Sequence, residues 1–273
     1  MQRRILIIDD HDDLAGALKK AFSEAGHVVT VFHDRVEAIE GGGLDDHDVV
    51  ITDLDVVGRS LYISANGNGS NGDRCLPHID CPEPDEHVKA FKISASKFRH
   101  DQFDEDELRF VVDTTLNYKS RFVDTAEAVQ NMHESIEFEL PSSIAVMHSI
   151  LDYLMKRVEK LGVVKSEQSN LFVALDEAFV NAVKHGNKFD TRKLVRVTAD
   201  VTPQEARFTI EDQGEGFDVN SIPDPLDPAN LFKPSGRGVL FIYNIMDEVK
   251  YNDRGNRLTM VKRSEEKKPE TVS

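Results

Sequence analysis

The chain has 273 residues, a length that suits about two domains, and a formal charge of −16. The first 110 residues account for −11 of it (23 acids, 12 bases), and a surface this negative repels phosphate backbones, which speaks against general nucleic-acid or anionic-membrane binding. Hydrophobic residues at 40% with 30% charged fit a packed globular chain rather than a disordered one. The longest apolar runs, such as residues 5–8, are too short for a bilayer span or a signal peptide, and two cysteines cannot build a disulfide framework. The expected compartment is the cytoplasm.

Ile5 to Ile8 is a fully apolar, β-branched run that predicts a buried parallel strand, closed by Asp9-Asp10. Leu14, Leu18 and Phe22 recur on one helical face, and Gly26 is a stop. Residues 28–32 predict a second strand. Asp34 caps a short helix that ends at Gly41-Gly42-Gly43, and residues 49–52 predict a third strand closing on Asp53. The β-α-β-α-β order predicts a doubly wound parallel sheet. The pattern then breaks in a Gly/Asn loop, 66–72, and a Pro- and acid-rich stretch, 75–85. One further strand (90–93), one helix (about 104–118) and a helical connector (about 121–132) complete the first half.

Ile136, Phe138 and Leu140 alternate with Glu137 and Glu139, as in a half-buried strand. Pro141-Ser142-Ser143 opens a predicted helix to Gly162, and a second helix runs from Ser166 to about His185. Strands follow at 194–201 and 206–211. A Pro-rich loop (222–234) precedes a short helix near 239–245, then a hairpin at 249–251 and 258–261. The charged tail from Glu265 is expected to be disordered.

Three segments of the second half carry chemistry. Glu177 and Asn181 are four apart on a helix and share a face. An amide oxygen can ligate Mg²⁺, which takes few protein ligands and completes its shell with phosphate and water; a carboxylate one turn away can accept a hydroxyl proton. The run Asp212-Gln213-Gly214-Glu215-Gly216-Phe217 follows an apolar strand, so its glycines let backbone approach a planar ligand and its Asp can accept an adenine amino group. Gly236-Arg237-Gly238 stands at a helix start, where exposed N–H groups favour phosphate. Each segment alone has an ordinary reading: an exposed polar pair, an acidic turn, a hinge.

Together, in this order, they resemble the GHKL (Bergerat-fold) ATP-binding family over residues 136–263, and within it the anti-sigma-factor serine kinases. Further cues are Phe138-Glu139-Leu140-Pro141, Asp176-Glu177-Ala178, Lys184-His185-Gly186 and Gly236-Arg237-Gly238. The resemblance implies that Asn181 binds Mg²⁺, that Glu177 is the general base, and that Asp212 recognises adenine in a pocket shaped by Gly214 and Gly216. It also implies that 217–236 form an ATP lid, with Gly236 and Gly238 contacting phosphates. No GxxxxGK[ST] pattern occurs, so ATP binding rests on this fold. A histidine kinase shares it, but His133 stands three residues before the strand at Ile136 and leaves no room for a dimerisation hairpin; it is expected as a solvent-facing helix-end residue. His148 is expected to be structural.

Residues 4–119 resemble a two-component receiver domain, through Asp9-Asp10 and Asp53 at strand ends. Three converging carboxylates suit Mg²⁺-assisted phosphoryl transfer to one of them, Asp53. The departures are the lack of a Ser/Thr that can be placed after a fourth strand, a candidate lysine (Lys92) followed by Ile rather than Pro, and the stretch 58–86. Degenerate receiver function, independent of phosphorylation, is the alternative. Cys75, His78, Cys81 and His87 lack a close zinc-knuckle spacing and read as an incidental loop, and the Asn68-Gly69-Ser70 sequon has no consequence in the cytoplasm.

The expectation is an α/β two-domain protein: receiver-like sheet (1–119), helical linker (120–135), Bergerat-type α/β sandwich (136–264) and tail (265–273). The function implied is an ATP- and Mg²⁺-dependent serine kinase acting on a STAS anti-anti-sigma protein and binding a sigma factor, under receiver control from an upstream phosphodonor kinase, with a homodimer suggested by the family. The alternatives are an ATP-binding partner switch without turnover and a histidine kinase.

Overall fold

A computed structural model describes residues 1–10, 13–41, 46–57, 87–100, 103–123, 133–165, 170–218 and 237–264. Its strands are β1 (Arg4–Asp9), β2 (Val28–Phe32), β3 (Val49–Val57), β4 (His87–Ser94), β5 (His133–Pro141), β6 (Leu194–Val201), β7 (Glu205–Asp212), β8 (Glu248–Tyr251) and β9 (Arg257–Arg263). The α-helices are α1 (Asp13–Glu24), α2 (Arg35–Glu40), α3 (Glu105–Tyr118), α4 (Met147–Lys160), α5 (Leu171–Val180) and α6 (Arg237–Ile245). The nine strands of the described residues form one sheet, ordered β2-β1-β3-β4-β5-β6-β7-β9-β8.

The β2-β1-β3 part is parallel, as the alternation of strand and helix predicts. β4 is not: it runs antiparallel to β3 along its whole length, from Val57↔His87 to Val50↔Ser94. This corrects the all-parallel expectation. A parallel return needs a crossover, usually helical, whereas an antiparallel one does not, and helical periodicity is what fails between the third and fourth strands. β4 then pairs in parallel with β5, so hydrogen bonding is continuous from the N-terminal half into the C-terminal half.

One face of the sheet is covered by α1, α3, α4, α5 and α6, whose apolar residues form a single core cluster reaching from Ile5 to Met260. Leu14, Leu18 and Phe22 are fully buried in it, the helical stripe that their spacing demands. α2 lies on the opposite face, where Ala38 packs with Leu6, Ile8 and Leu54. Further along, that face carries cross-strand ion pairs, Lys92 with Glu137 and Arg257 with Glu211, each at 3.0 Å.

The halves meet in an aromatic trio. Phe91 of β4 packs edge-on against Phe138 of β5, with centroids 6.1 Å apart, and both contact Tyr153 of α4. Phe91→Ala is expected to cost about 3–5 kcal/mol. Because the cavity opens in a core shared by both halves, denaturant unfolding followed by secondary structure and by aromatic signals should move together in one transition; two separated transitions would contradict a shared core.

Element boundaries shift in instructive ways. β5 starts at His133 rather than Ile136, and His133 is 6% exposed, with its Nε2 3.8 Å from an Asp200 carboxylate oxygen. The expectation of a solvent-facing helix end is therefore overturned: the strand has neighbours on both sides, which cover its first residue. Glu134, on the core side, pairs with Arg157 of α4, Nε to Oε2 at 2.7 Å. Pro141 ends β5 instead of opening a helix; the Ser143 hydroxyl accepts the Ala145 N–H at 3.1 Å and donates to Glu105 of α3 at 2.7 Å. α3 gives way to a π turn, Lys119–Val123; the rest of the expected helical connector before β5 lies outside the described residues, as do the loop 58–86 with Cys75, His78 and Cys81, and the tail 265–273. Among the described residues, no helix is long and apolar enough to cross a membrane.

Candidate functional site

α5 is apolar on the side that packs under the sheet, with Leu171, Ala174, Leu175 and Ala178 buried. At Asn181 the backbone changes from α to a π turn, Asn181–Gly186, a distortion often found at functional sites. This widening ends in a sharp corner: Lys188 and Phe189 both adopt left-handed conformations, with φ of 57° each, unusual for two non-glycine residues in a row. The corner brings Gly186 against the end of β7. A Cβ on Gly186 would overlap the Asp212 carboxyl group, and one on Gly214 would overlap the Gly186 carbonyl. These glycines are required by close approach.

A cavity of about 350 Å³ opens there. Its walls include Asn181, Gly186, Asp212, Gly216, Phe217 and Tyr251. Asp212 is 9% exposed, and its Oδ1 accepts the Gly214 N–H at 2.7 Å. Burial pushes its carboxyl above the ordinary aspartate range, against the pull of the Gly214 N–H and the Lys193 and Arg254 charges. Phe217 and Tyr251 stand edge-to-face at 5.2 Å, and burial pushes the Tyr251 phenol up to about 12. A mainly apolar cavity with the Asp212 carboxylate in its wall suits a planar, amino-bearing heterocycle.

Glu177 lies one turn before Asn181, beside the first turn of α6. Its carboxylate fills the space that a Cβ on Gly238 would occupy. The absence of a side chain at Gly238 therefore seats Glu177, a role additional to the phosphate contact implied by the resemblance. Gly236 and most of the expected lid (219–236) lie outside the described residues.

Two residues that sequence reasoning passed over organise this site. Asn187 is fully buried; its Nδ2 donates to the Leu194 carbonyl at 2.8 Å and its Oδ1 accepts the Gln213 N–H at 2.9 Å. Asn256 of the β8–β9 turn donates from Nδ2 to the Asp212 carbonyl at 2.7 Å. Asparagine in a loop reads as a turn former, so its bonds to distant strands leave no local signal. His148 of α4 is exposed, 3.4 Å from Asp152, and stacks edge-on with Phe172 of α5.

In the N-terminal half, Asp9 and Asp53 are register partners on β1 and β3, with Asp10 next to them. Each carboxylate is turned to a protein group. Asp9 Oδ2 accepts the N–H groups of Leu14 and Ala15 at 3.1 and 2.8 Å, capping α1. Asp10 accepts the Asp55 N–H at 2.9 Å. Both Asp53 oxygens accept from Lys119 Nζ, at 2.9 and 2.8 Å, with both side chains buried. Lys92, the lysine expected there, instead bonds Glu137 at 3.0 Å; it sits opposite Thr52, one step from Phe91, the partner of Asp53, and so faces the other side of the sheet. The amine comes from the end of α3. Among the described residues, no group of three His, Cys, Asp or Glu side chains is arranged to hold a metal ion.

Comparison with known proteins falls on the C-terminal half. Residues 140–262 match the family model of the histidine kinase-like ATPase domain. The serine-protein kinase RsbW of Staphylococcus epidermidis is 28% identical over 142 residues, 49% of this chain and 89% of that protein. The RsbW of Staphylococcus aureus strain Newman is 24% identical over the same share of each chain. Glu177, Asn181 and Asp212 all lie inside that matched stretch, and its mixed α/β structure fits an ATPase domain of the histidine kinase-like type.

Proposed function

We propose that the chain is an ATP-dependent protein serine kinase of the partner-switching kind, whose protein substrate is a STAS-type anti-anti-sigma protein and whose other partner is a sigma factor. The observation that carries the reading is the meeting of Asn181 and Asp212 at one cavity, with Glu177 one helical turn from Asn181 and against Gly238, supported by similarity to proteins named serine-protein kinases.

The donor set fits a Mg²⁺–adenine nucleotide. The glycines around Asp212 let the backbone segments beside it close up with no side chain between them, and the Asp212 carboxylate can accept the hydrogens of an adenine amino group. Asn181, on the same wall, offers an amide oxygen for the cation; Mg²⁺, when bound, neutralises charge on the transferring phosphoryl group. Glu177 is seated one turn away, where it can take the proton of an attacking serine hydroxyl. The remaining contribution is positioning: two reactants held in line need little further chemical assistance. For the N-terminal half we propose a regulatory role through Asp53 and Lys119, with Asp53 as the candidate phosphorylation site.

The test is to mix the full chain with labelled ATP, Mg²⁺ and a STAS protein encoded beside it. Acid-stable, base-labile label on a STAS serine is the expected outcome. Acid-labile, base-stable label on the chain itself would point to a histidine kinase, and nucleotide binding with no transfer would leave a non-catalytic switch.

A further inference from the structure

The β8–β9 turn grips the segment Asp212–Phe217, and its Gly255 and Asn256 also line the cavity. Asn256 holds both backbone groups of Asp212: its Nδ2 donates to the Asp212 carbonyl at 2.7 Å, and its own carbonyl accepts the Asp212 N–H at 3.0 Å. The side chain of Asn256 is itself fixed, since Asn252 Nδ2 donates to its Oδ1 at 3.0 Å. Asn252 Oδ1 accepts the N–H groups of Asn256 and Arg257, each at 3.1 Å. Two residues along, Arg254 Nη2 donates to the Gly214 carbonyl at 2.8 Å, and the Arg254 carbonyl accepts the Phe217 N–H at 3.1 Å. The contact is so close that Gly216 (φ +79°) has no room for a side chain beside the Arg254 carbonyl, and Gly255 (φ +75°) none beside the Phe217 carbonyl.

We infer that Asn256 is a positioning residue for nucleotide-base selectivity, acting through Asp212, with Arg254 as its second anchor. This rests on the adenine reading of Asp212. A carboxylate discriminates an amino group from a carbonyl only if it cannot swing away, because the penalty for the wrong base is a buried acceptor facing an acceptor. Asp212 is the last residue of β7, and the ladder ends with it. Asn256 supplies the bonds that continue the ladder one residue into the turn, and so fixes the direction in which the Asp212 side chain leaves the backbone.

The experiment is calorimetry with ADP and with inosine diphosphate, which carries a 6-oxo group in place of the 6-amino group, on wild type, Asn256→Ala and Arg254→Ala of the full chain. Wild type is expected to prefer ADP by roughly tenfold or more. In Asn256→Ala the ADP affinity should fall about tenfold while the inosine diphosphate affinity hardly moves, so that the preference collapses; kcat at saturating ATP should be retained while KM rises. Arg254→Ala, which leaves Asn252 and Asn256 in place, should shift the preference in the same direction and by less, and it keeps the test open if Asn256→Ala does not fold. Equal losses for both nucleotides, or an unchanged preference, would reduce the turn to ordinary packing and overturn the inference. A wild type that binds neither nucleotide would overturn the ATP reading itself.

Discussion

Gly238→Ala is expected to silence phosphoryl transfer as fully as Glu177→Ala does, with ADP affinity almost unchanged. The new Cβ would overlap Oε1, Cδ and Cγ of Glu177. Gly238 lies in the first turn of α6, and alanine is a good helix former, so the backbone has little reason to yield. The carboxylate does, and it leaves the position from which it can accept the serine proton. A positioned proton acceptor contributes about 10²–10⁴-fold, so transfer to the STAS serine should drop by that order in either single variant. Because both remove the same function, the double variant should be no slower. Single-turnover transfer rates and ADP calorimetry on the three variants check this. A large loss of ADP affinity in Gly238→Ala, with transfer at saturating ATP intact, would instead make Gly238 a phosphate contact alone.

Lys119→Met should destabilise the N-terminal half as strongly as the loss of the Phe91 ring. Asp53 is 4% exposed and Lys119 2% exposed, and the amine also sits 4.8 Å from the centre of the Phe91 ring. Removing the amine strands a carboxylate in a dry site, at a cost of about 3–5 kcal/mol. Asp53→Asn combined with Lys119→Met should recover most of that loss, since a neutral pair needs no charge compensation. Urea melts of the two single variants and the double variant measure the coupling; a loss of under about 0.5 kcal/mol for Lys119→Met would mean that the pair is open to water. The same variants bear on regulation. If Asp53 accepts a phosphoryl group from acetyl phosphate and Mg²⁺, mass spectrometry should show an adduct on wild type that Asp53→Asn lacks. If the two behave alike, the pair is a structural bolt between β3 and α3.

Much of the site was legible because its chemistry is local. Glu177 and Asn181 are linked by helical spacing alone, and Asp212, Gly214 and Gly216 by adjacency at a strand end. What escaped was made by contacts across the chain. Lys119 reaches Asp53 over 66 positions, whereas Lys92, the sequence candidate, lies on a strand whose direction depends on its partner. Asn187 and Asn256 bond to residues 26 and 44 positions away, and nothing in their neighbourhoods distinguishes them from turn formers. The end of α5 is a similar case: periodicity predicts helix through His185, but the last turn is π rather than α, a change of a single hydrogen-bond register that side-chain pattern does not report.

The order of strands and helices, the buried stripes, and the acids and glycines around the Asp212 cavity follow from periodicity and turn chemistry, since both act between neighbours in the chain. Whether the two halves share a sheet, which way β4 runs, which lysine meets Asp53 and what holds Asp212 in place were settled by packing. Strand pairing is written in backbone hydrogen bonds that every residue can make, and a buried charge or amide takes its partner from whichever segment the fold delivers, so those answers exist in space before they exist in any stretch of residues.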